Sequence, residues 1–278
     1  MPELPEVETI RRGLHRRVIG QRIAAITLNR TDIVAGDPEA LVASLQGEII
    51  CDTGRRGKVL WLSCDSAALG VHLGMSGRLQ LAEDESHPEH THLAITLSDG
   101  AQILYVDPRR FGRVECFNPQ HAVASDLLRN VGIDALDEGW TAPVLLEAAT
   151  RHSIGLKQFL LDQSHVAGLG NIYVCEILHR AGQSPHTPAC DVDREQAQRI
   201  INTTRQVLTE AVEARGTTIS DHRDALGRTG GYQEYLCVYG REGEVCTVEG
   251  CSGVIQKVVD AGRSTYFCPL CQDCSTRV

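Results

Sequence analysis

Residues 246–271 read CTVEGCSGVIQKVVDAGRSTYFCPLC. Two cysteine pairs, Cys246-x4-Cys251 and Cys268-x2-Cys271, enclose sixteen residues. This is the spacing of two knuckles that close one tetrahedral four-sulfur zinc site. Between the pairs, 254–259 and 264–267 read as two strands joined by Asp260-Ala261-Gly262-Arg263, a turn with a basic residue at its tip. Such a hairpin is too small to bury a core, so metal binding supplies its folding energy. Four unconnected thiols are the weaker alternative. Cys274 makes a further Cys-x2-Cys with Cys271, so the ligand set could shift.

The other cysteines behave differently. The chain has 278 residues, room for roughly two domains, and 11 Cys, an odd number that argues against a disulfide framework. Cys51, Cys64, Cys116, Cys175, Cys190 and Cys237 are scattered in mostly apolar context and serve as packing residues. No apolar run approaches the roughly 18 residues of a membrane helix. The opening MPELPEVETIRRGL is charged from residue 3 and lacks the apolar stretch of a secretion signal, so a cytoplasmic protein is expected.

Charge at first argues against nucleic acid: 27 Lys+Arg stand against 36 Asp+Glu, a formal net charge of −9. The distribution reverses that reading. Residues 31–53 carry −5 and residues 79–108 carry −6, with no Lys or Arg in either, which leaves the other 225 residues at +2. Basic knots stand at Arg11-Arg12, Arg16-Arg17, Arg55-Arg56-Gly57-Lys58 and Arg109-Arg110-Phe111-Gly112-Arg113. The helical pairs read as solvated charge. The latter two lie beside Gly or Pro, near turns, where a guanidinium can reach a phosphate. The expectation is polarity, a basic cleft with an acidic back built from the two Lys- and Arg-free stretches.

The expected fold class is α+β. Pro5 with Val7, Ile10, Leu14 and Val18 predicts an N-terminal amphipathic helix ending at Gly20. Short apolar or alternating runs at 23–28, 48–53, 59–63, 69–73, 93–97, 102–106 and 113–117 predict a β-sandwich. Helices are expected over 154–162, 171–180 and 193–215, with two turns at 182–192. The division is a catalytic β-sandwich domain at 1–129, a connector at 130–150, a helix–two-turn–helix domain at 151–231 and a zinc finger at 232–278.

Two features carry chemistry. Gly168-Leu169-Gly170-Asn171 opens a helix whose free backbone amides suit a phosphate. Met1-Pro2 is a sequence from which the initiator Met is normally removed, leaving a secondary amine as the chain end. An α-amino group titrates near roughly pH 8, so a good share is nucleophilic at physiological pH. Glu3 and Glu6 lie close in sequence to shuttle protons. Taken alone, these residues more often do no more than start a helix. His87, His90 and His92 read as solvated histidines rather than a second metal site.

The motifs together decide the matter. PELPEVE at 2–8, RRGK at 55–58, HLGMSG at 72–77, DPRRFG at 107–112, AGLGNIY at 167–173 and VYGREGE at 238–244 occur in order along the whole chain. The chain thereby resembles formamidopyrimidine-DNA glycosylase, the bacterial 8-oxoguanine glycosylase. The resemblance implies Pro2 as nucleophile, Glu3 as proton donor and acceptor with Glu6 in support, and Lys58 as a phosphate contact that assists base loss. It implies a bifunctional glycosylase and lyase of base excision repair, acting on oxidised purines in duplex DNA as a monomer with one structural zinc. Met75, Arg109 and Phe111 would fill the gap left by the flipped base. Lys157, Asn171, Tyr239 and Arg263 would clamp the backbone, with His92 a further DNA contact. Cys246, Cys251, Cys268 and Cys271 would hold the zinc.

Two departures stand out. Relatives commonly open the finger with Cys-x2-Cys, whereas this chain has Cys246-x4-Cys251. Residues 220–231, which correspond to the loop covering the flipped base, match no fixed motif. The sister enzyme endonuclease VIII, which acts on oxidised pyrimidines, usually begins PEGPE, and Leu4 favours the purine enzyme. A DNA-binding homologue without catalysis, or a purely structural zinc protein, is opposed by Pro2, Glu3, Glu6 and Lys58 occurring together.

Overall fold

The computed structural model describes residues 1–83, 87–218 and 224–272, so Cys274 and part of the 220–231 loop lie outside the described residues. The chain forms two compact units, one of residues 1–131 with 212–233 and one of 132–211 with the chain from 234 onward.

The first unit opens with α1 (Leu4–Val18), which has Glu3 as N-cap and proline in its first turn. Val7, Ile10, Leu14 and Val18 are fully buried along one stripe, as their three- and four-residue spacing dictates. Then come β1 (Ile23–Leu28), β2 (Val34–Ala35), α2 (Pro38–Leu45), β3 (Asp52–Arg56), β4 (Val59–Ser63), β5 (Ala68–His72), β6 (Arg78–Ala82), β7 (Thr91–Leu97), β8 (Gln102–Val106) and β9 (Arg113–Phe117). They form two sheets, of order β1-β7-β8-β6 and β2-β9-β5-β4-β3. Leu60, Leu62, Leu69 and Val71 from one sheet share a core with Leu79, Leu93, Ile95 and Ile103 from the other, and the α1 stripe joins it. This is the expected sandwich with its N-terminal helix.

Local differences have physical reasons. The strand expected over 48–53 lies at Asp52–Arg56, a polar run without apolar alternation. Its polar side chains find partners in α1, and Gly54 lies under the indole of Trp61, where a Cβ would come within 2.1 Å of the ring. Helix α2 was not anticipated; Asp37 caps it by accepting from the Glu39 amide. Nor was β6, whose Leu79 and Leu81 alternate over too short a run to stand out. Ala225 belongs to this core, and its carbonyl accepts from the Leu81 amide.

The second unit contains β10 (Ile133–Asp134) paired in parallel with β11 (Val166–Ala167), and the helices α3 (Ala142–Ala149), α4 (Leu156–Leu161) and α5 (Asn171–Arg180). Helix α6 (Arg194–Glu213) begins here, and Asp193 and Gln196 cap it reciprocally at 2.7 and 2.8 Å. Strands β12 (Gln256–Asp260) and β13 (Arg263–Phe267) pair antiparallel. Their turn is tighter than the sequence implies, two residues, Ala261 and Gly262, at φ 47° and 77°. Both angles are positive, as the twist-matched hairpin turn requires. No helix among the described residues is long and apolar enough to cross a membrane.

Candidate functional site

In the first unit the N-terminal arm is held by its own acids. Pro2, Glu3 and Glu6 are all buried. Glu6 Oε2 accepts from the Glu3 amide at 2.8 Å, closing the N-terminal turn of α1 as half of a capping box. Glu6 Oε1 accepts from the Thr217 amide at 2.7 Å. Gly216 makes this approach possible. It sits at φ +78°, and a Cβ there would lie 2.6 Å from Glu6 Oε1. Glu6 thus binds the Glu3 amide and that of Thr217, 211 residues away in sequence, a partner that no local spacing signals.

Glu8 is the centre of an ionic cluster that the sequence did not reveal. Its carboxylate takes Arg11 in a two-point pair at 2.8 and 2.9 Å, Arg12 at 2.7 Å and Arg55 at 3.1 Å. Burial alone would push this carboxyl up; the hydrogen bonds from Arg11 and Arg12 and the charges of Arg11 and Arg55 outweigh it and bring it to about 2. Arg55, part of the basic knot read above as near enough to a turn to reach a phosphate, is turned inward onto Glu8 and the Gly57 carbonyl. That second bond holds the β3–β4 turn, which ends on the buried Lys58. The acidic stretches also find partners: Arg30 pairs with Asp32 at 2.8 Å and Arg17 with Glu83 at 2.9 Å.

The two segments expected to fill the gap, 72–77 and 107–112, are one construction. Asp107, fully buried, accepts from Ser76 Oγ at 2.5 Å, Gly112 N at 2.9 Å, Tyr105 Oη at 3.1 Å and Arg109 N at 3.3 Å. Burial would raise its carboxyl, but these donors hold it below the usual carboxylate range. Asp107 thus pins the 72–77 segment to the 107–112 turn. The backbones touch as well, since a Cβ on Gly74, at φ +62°, would lie 2.5 Å from Gly112 N. Met75 and Phe111 are left 43% and 54% exposed, and the Arg109 guanidinium lies 4.9 Å from the Phe111 ring centre. His72 accepts from the Gly74 amide, and burial together with the Lys58 charge lowers its pKa.

The histidine reading needs correction. His92 is buried rather than solvated, with Nε2 2.8 Å from the Asp107 carbonyl. It supports the same turn from the inside. His87 lies 2.8 Å from Gln102 Oε1 and His90 is exposed. Among the described residues these three do not form a metal cluster.

In the second unit the expected clamp residues meet at the zinc hairpin. Lys157, 3% exposed, donates to the Ser264 carbonyl at 3.0 Å and to Thr265 Oγ1 at 2.8 Å. Asn171 Nδ2 donates to the same Ser264 carbonyl at 2.9 Å. Burial lowers the Lys157 pKa. A cavity of about 500 Å³ beside this junction is lined by Lys157, Pro185, His186, Asp260 and Arg263. Tyr239 rests its ring 4.9 Å from Tyr266, and its amide is fixed by Glu176. Fully buried on α5, Glu176 accepts from the amides of Cys237, Val238 and Tyr239 at 2.8–3.0 Å. A glutamate inside an apolar helix stripe was the available signal.

Cys246, Cys251, Cys268 and Cys271 converge, with all four Sγ atoms within 4.8 Å of one another. Cys246 and Cys271 stand 3.7 Å apart, as do Cys251 and Cys268. A tetrahedron with Zn–S of about 2.3 Å has edges of about 3.8 Å, so the sulfurs fit one structural zinc. Gly253 is required here, because a Cβ would lie 2.4 Å from Cys268 Sγ. The longer first knuckle still closes the site.

Comparison with known proteins agrees with this geometry. Residues 1–114 match the family described as the formamidopyrimidine-DNA glycosylase N-terminal domain, 131–223 its H2TH domain, and 243–273 the zinc finger found in FPG and IleRS. The formamidopyrimidine-DNA glycosylase of Beijerinckia indica is 43% identical over 98% of this chain and 100% of its own length. A variant FPG of Lactococcus lactis, solved with DNA containing Fapy-dG, superposes with a TM-score of 0.90 at 35% identity, covering 98% of this chain and 100% of that one. The FPG protein of Thermus thermophilus gives 0.86 at 37% identity, covering 98% of each chain.

Proposed function

The chain belongs to the formamidopyrimidine-DNA glycosylase family, and on that premise we propose that it is a DNA glycosylase of base excision repair that removes oxidised purines, 8-oxoguanine and formamidopyrimidines, and then cuts the strand. The observation that carries this reading is the clasp on the N-terminal arm. Glu6 binds the Glu3 and Thr217 amides with its two oxygens and fixes the backbone between Pro2 and α1.

The residues take the following roles. Removal of Met1 frees the Pro2 nitrogen as a secondary amine. The amine attacks C1′ of the flipped nucleotide, the glycosidic bond breaks, and the base leaves with a proton. Glu3 protonates the ring oxygen as the sugar opens to an iminium. Loss of a C2′ proton then expels the 3′ phosphate, and a second elimination expels the 5′ phosphate. Lys58 contacts phosphate and assists base departure. Met75, Phe111 and Arg109 enter the duplex where the base left, which suits two exposed apolar side chains on a buried, pinned base. Lys157, Asn171, Tyr239 and Arg263 hold the backbone, and His92 acts there through the turn it supports.

Borohydride tests this. Zinc-loaded protein lacking Met1, mixed with duplex containing 8-oxoguanine, should give a covalent protein–DNA adduct on reduction. Pro2→Gly should lose nicking while lesion-DNA binding stays measurable. No adduct from the intact protein would falsify the iminium route.

A further inference from the structure

Helix α5 ends beside the zinc site. His179, in its last turn, is 2% exposed, and its Nε2 lies 3.4 Å from Cys246 Sγ. We propose that His179 is a positioning residue of the zinc centre, whose Nε2–H donates to the Cys246 thiolate and ties the lengthened first knuckle to α5.

The chemistry assigns the proton. A zinc-bound cysteine is a thiolate and has no hydrogen to give, so the contact is a hydrogen bond only if Nε2 carries the proton. The other ring nitrogen, Nδ1, is buried with no hydrogen-bond partner among the described residues. An imidazole filling space alone would bury two unsatisfied nitrogens, at a cost an aromatic ring of similar size avoids. The sulfur contact is what offsets that burial. Four thiolates leave a divalent zinc with net charge of about −2, and an N–H aimed at sulfur stabilises that excess.

The architecture gives each knuckle its own tether. On the second, Gln272 Oε1 accepts from the Cys268 amide at 2.8 Å, and Gln272 Nε2 donates to the Gln183 carbonyl at 2.8 Å. On the first, His179, four residues before Gln183, reaches Cys246 across 67 residues of sequence. The two extra residues of Cys246-x4-Cys251 make this knuckle the looser loop, so a lateral anchor matters more there. One helix thereby carries Asn171 at its start, the Glu176 grip on 237–239 at its middle and the zinc tether at its end.

The test uses the zinc-loaded full chain. A long-range 1H–15N correlation should show a neutral His179 with its proton on Nε2, and 113Cd-substituted protein should show scalar coupling between cadmium and that proton. His179→Phe, which keeps ring volume and removes the donor, should release zinc to a chelator about 10–100-fold faster, and His179→Gln should recover part of the difference. A proton on Nδ1 with no cadmium coupling overturns the proposal, even if the Phe variant fails to fold. Equal zinc release from wild type and the Phe variant overturns it too. Purified wild type without zinc removes the metal site itself, a failure that leaves the glycosylase reading untouched.

Discussion

Replacing Gly216 by alanine should damage catalysis without touching any residue that meets DNA. The position has φ +78°, and an added Cβ would sit 2.6 Å from Glu6 Oε1 and 2.9 Å from Glu6 Cγ. The left-handed backbone costs about 1–2 kcal/mol for a residue with a Cβ. Relief of the clash requires the carboxylate to retreat by roughly 0.5–1 Å, which breaks its bond to the Thr217 amide. A hydrogen bond to a charged group contributes about 1.5–3 kcal/mol. Gly100→Ala separates the two effects: that glycine has φ +89° with nothing within 4 Å of the added Cβ. Both variants should show the backbone cost, and Gly216→Ala should melt roughly 5 °C lower than the control. A displacement of this size in the arm that carries Glu3 should slow single-turnover base excision by about 10–100-fold, with Gly100→Ala at the wild-type rate. Equal melting temperatures and equal excision rates for the two would refute the clasp.

Acid should expose the Glu8 cluster. The folded carboxyl lies at about 2 against an ordinary 4.5, so the unfolded chain takes up the proton first as pH falls. Its contribution, about 3 kcal/mol, is therefore present above pH 4.5 and lost as pH drops toward 2. Denaturant titrations should show that loss, and Glu8→Gln should flatten the acid limb. Asp107→Asn should loosen the 72–77 and 107–112 segments that it ties together, lowering affinity for lesion-containing duplex by at least about tenfold, while native mass spectrometry still finds one zinc.

Some of this was legible because it is local. Helix α1 follows from the spacing of Val7, Ile10, Leu14 and Val18, and the hairpin from two short runs around Ala261-Gly262. The Cys246–Cys271 spacing names a metal before any fold is known, since chelation tolerates only a few loop lengths. Strand β3 was displaced because polar residues can pair in a sheet when a distant element satisfies them, as α1 does for Thr53 and Arg55. The same cause hid the supports of the site. Asp107 collects donors from residues 76, 105, 109 and 112, and Glu176 from residues 237–239.

The amino-acid order alone thus pointed to the family, to a cysteine metal site and to the residues nominated for chemistry, because each rests on residue type in short motifs. Only the tertiary structure decided what those residues are free to do. Arg55, from a knot read as able to reach a phosphate, is paired with Glu8, and His92, read as solvated, braces a turn. Glu6 holds the arm through an amide beyond residue 210, under a glycine that leaves it room. Burial makes the difference: a charged or polar side chain removed from water must take whatever partner the fold brings to it, and sequence distance does not say which.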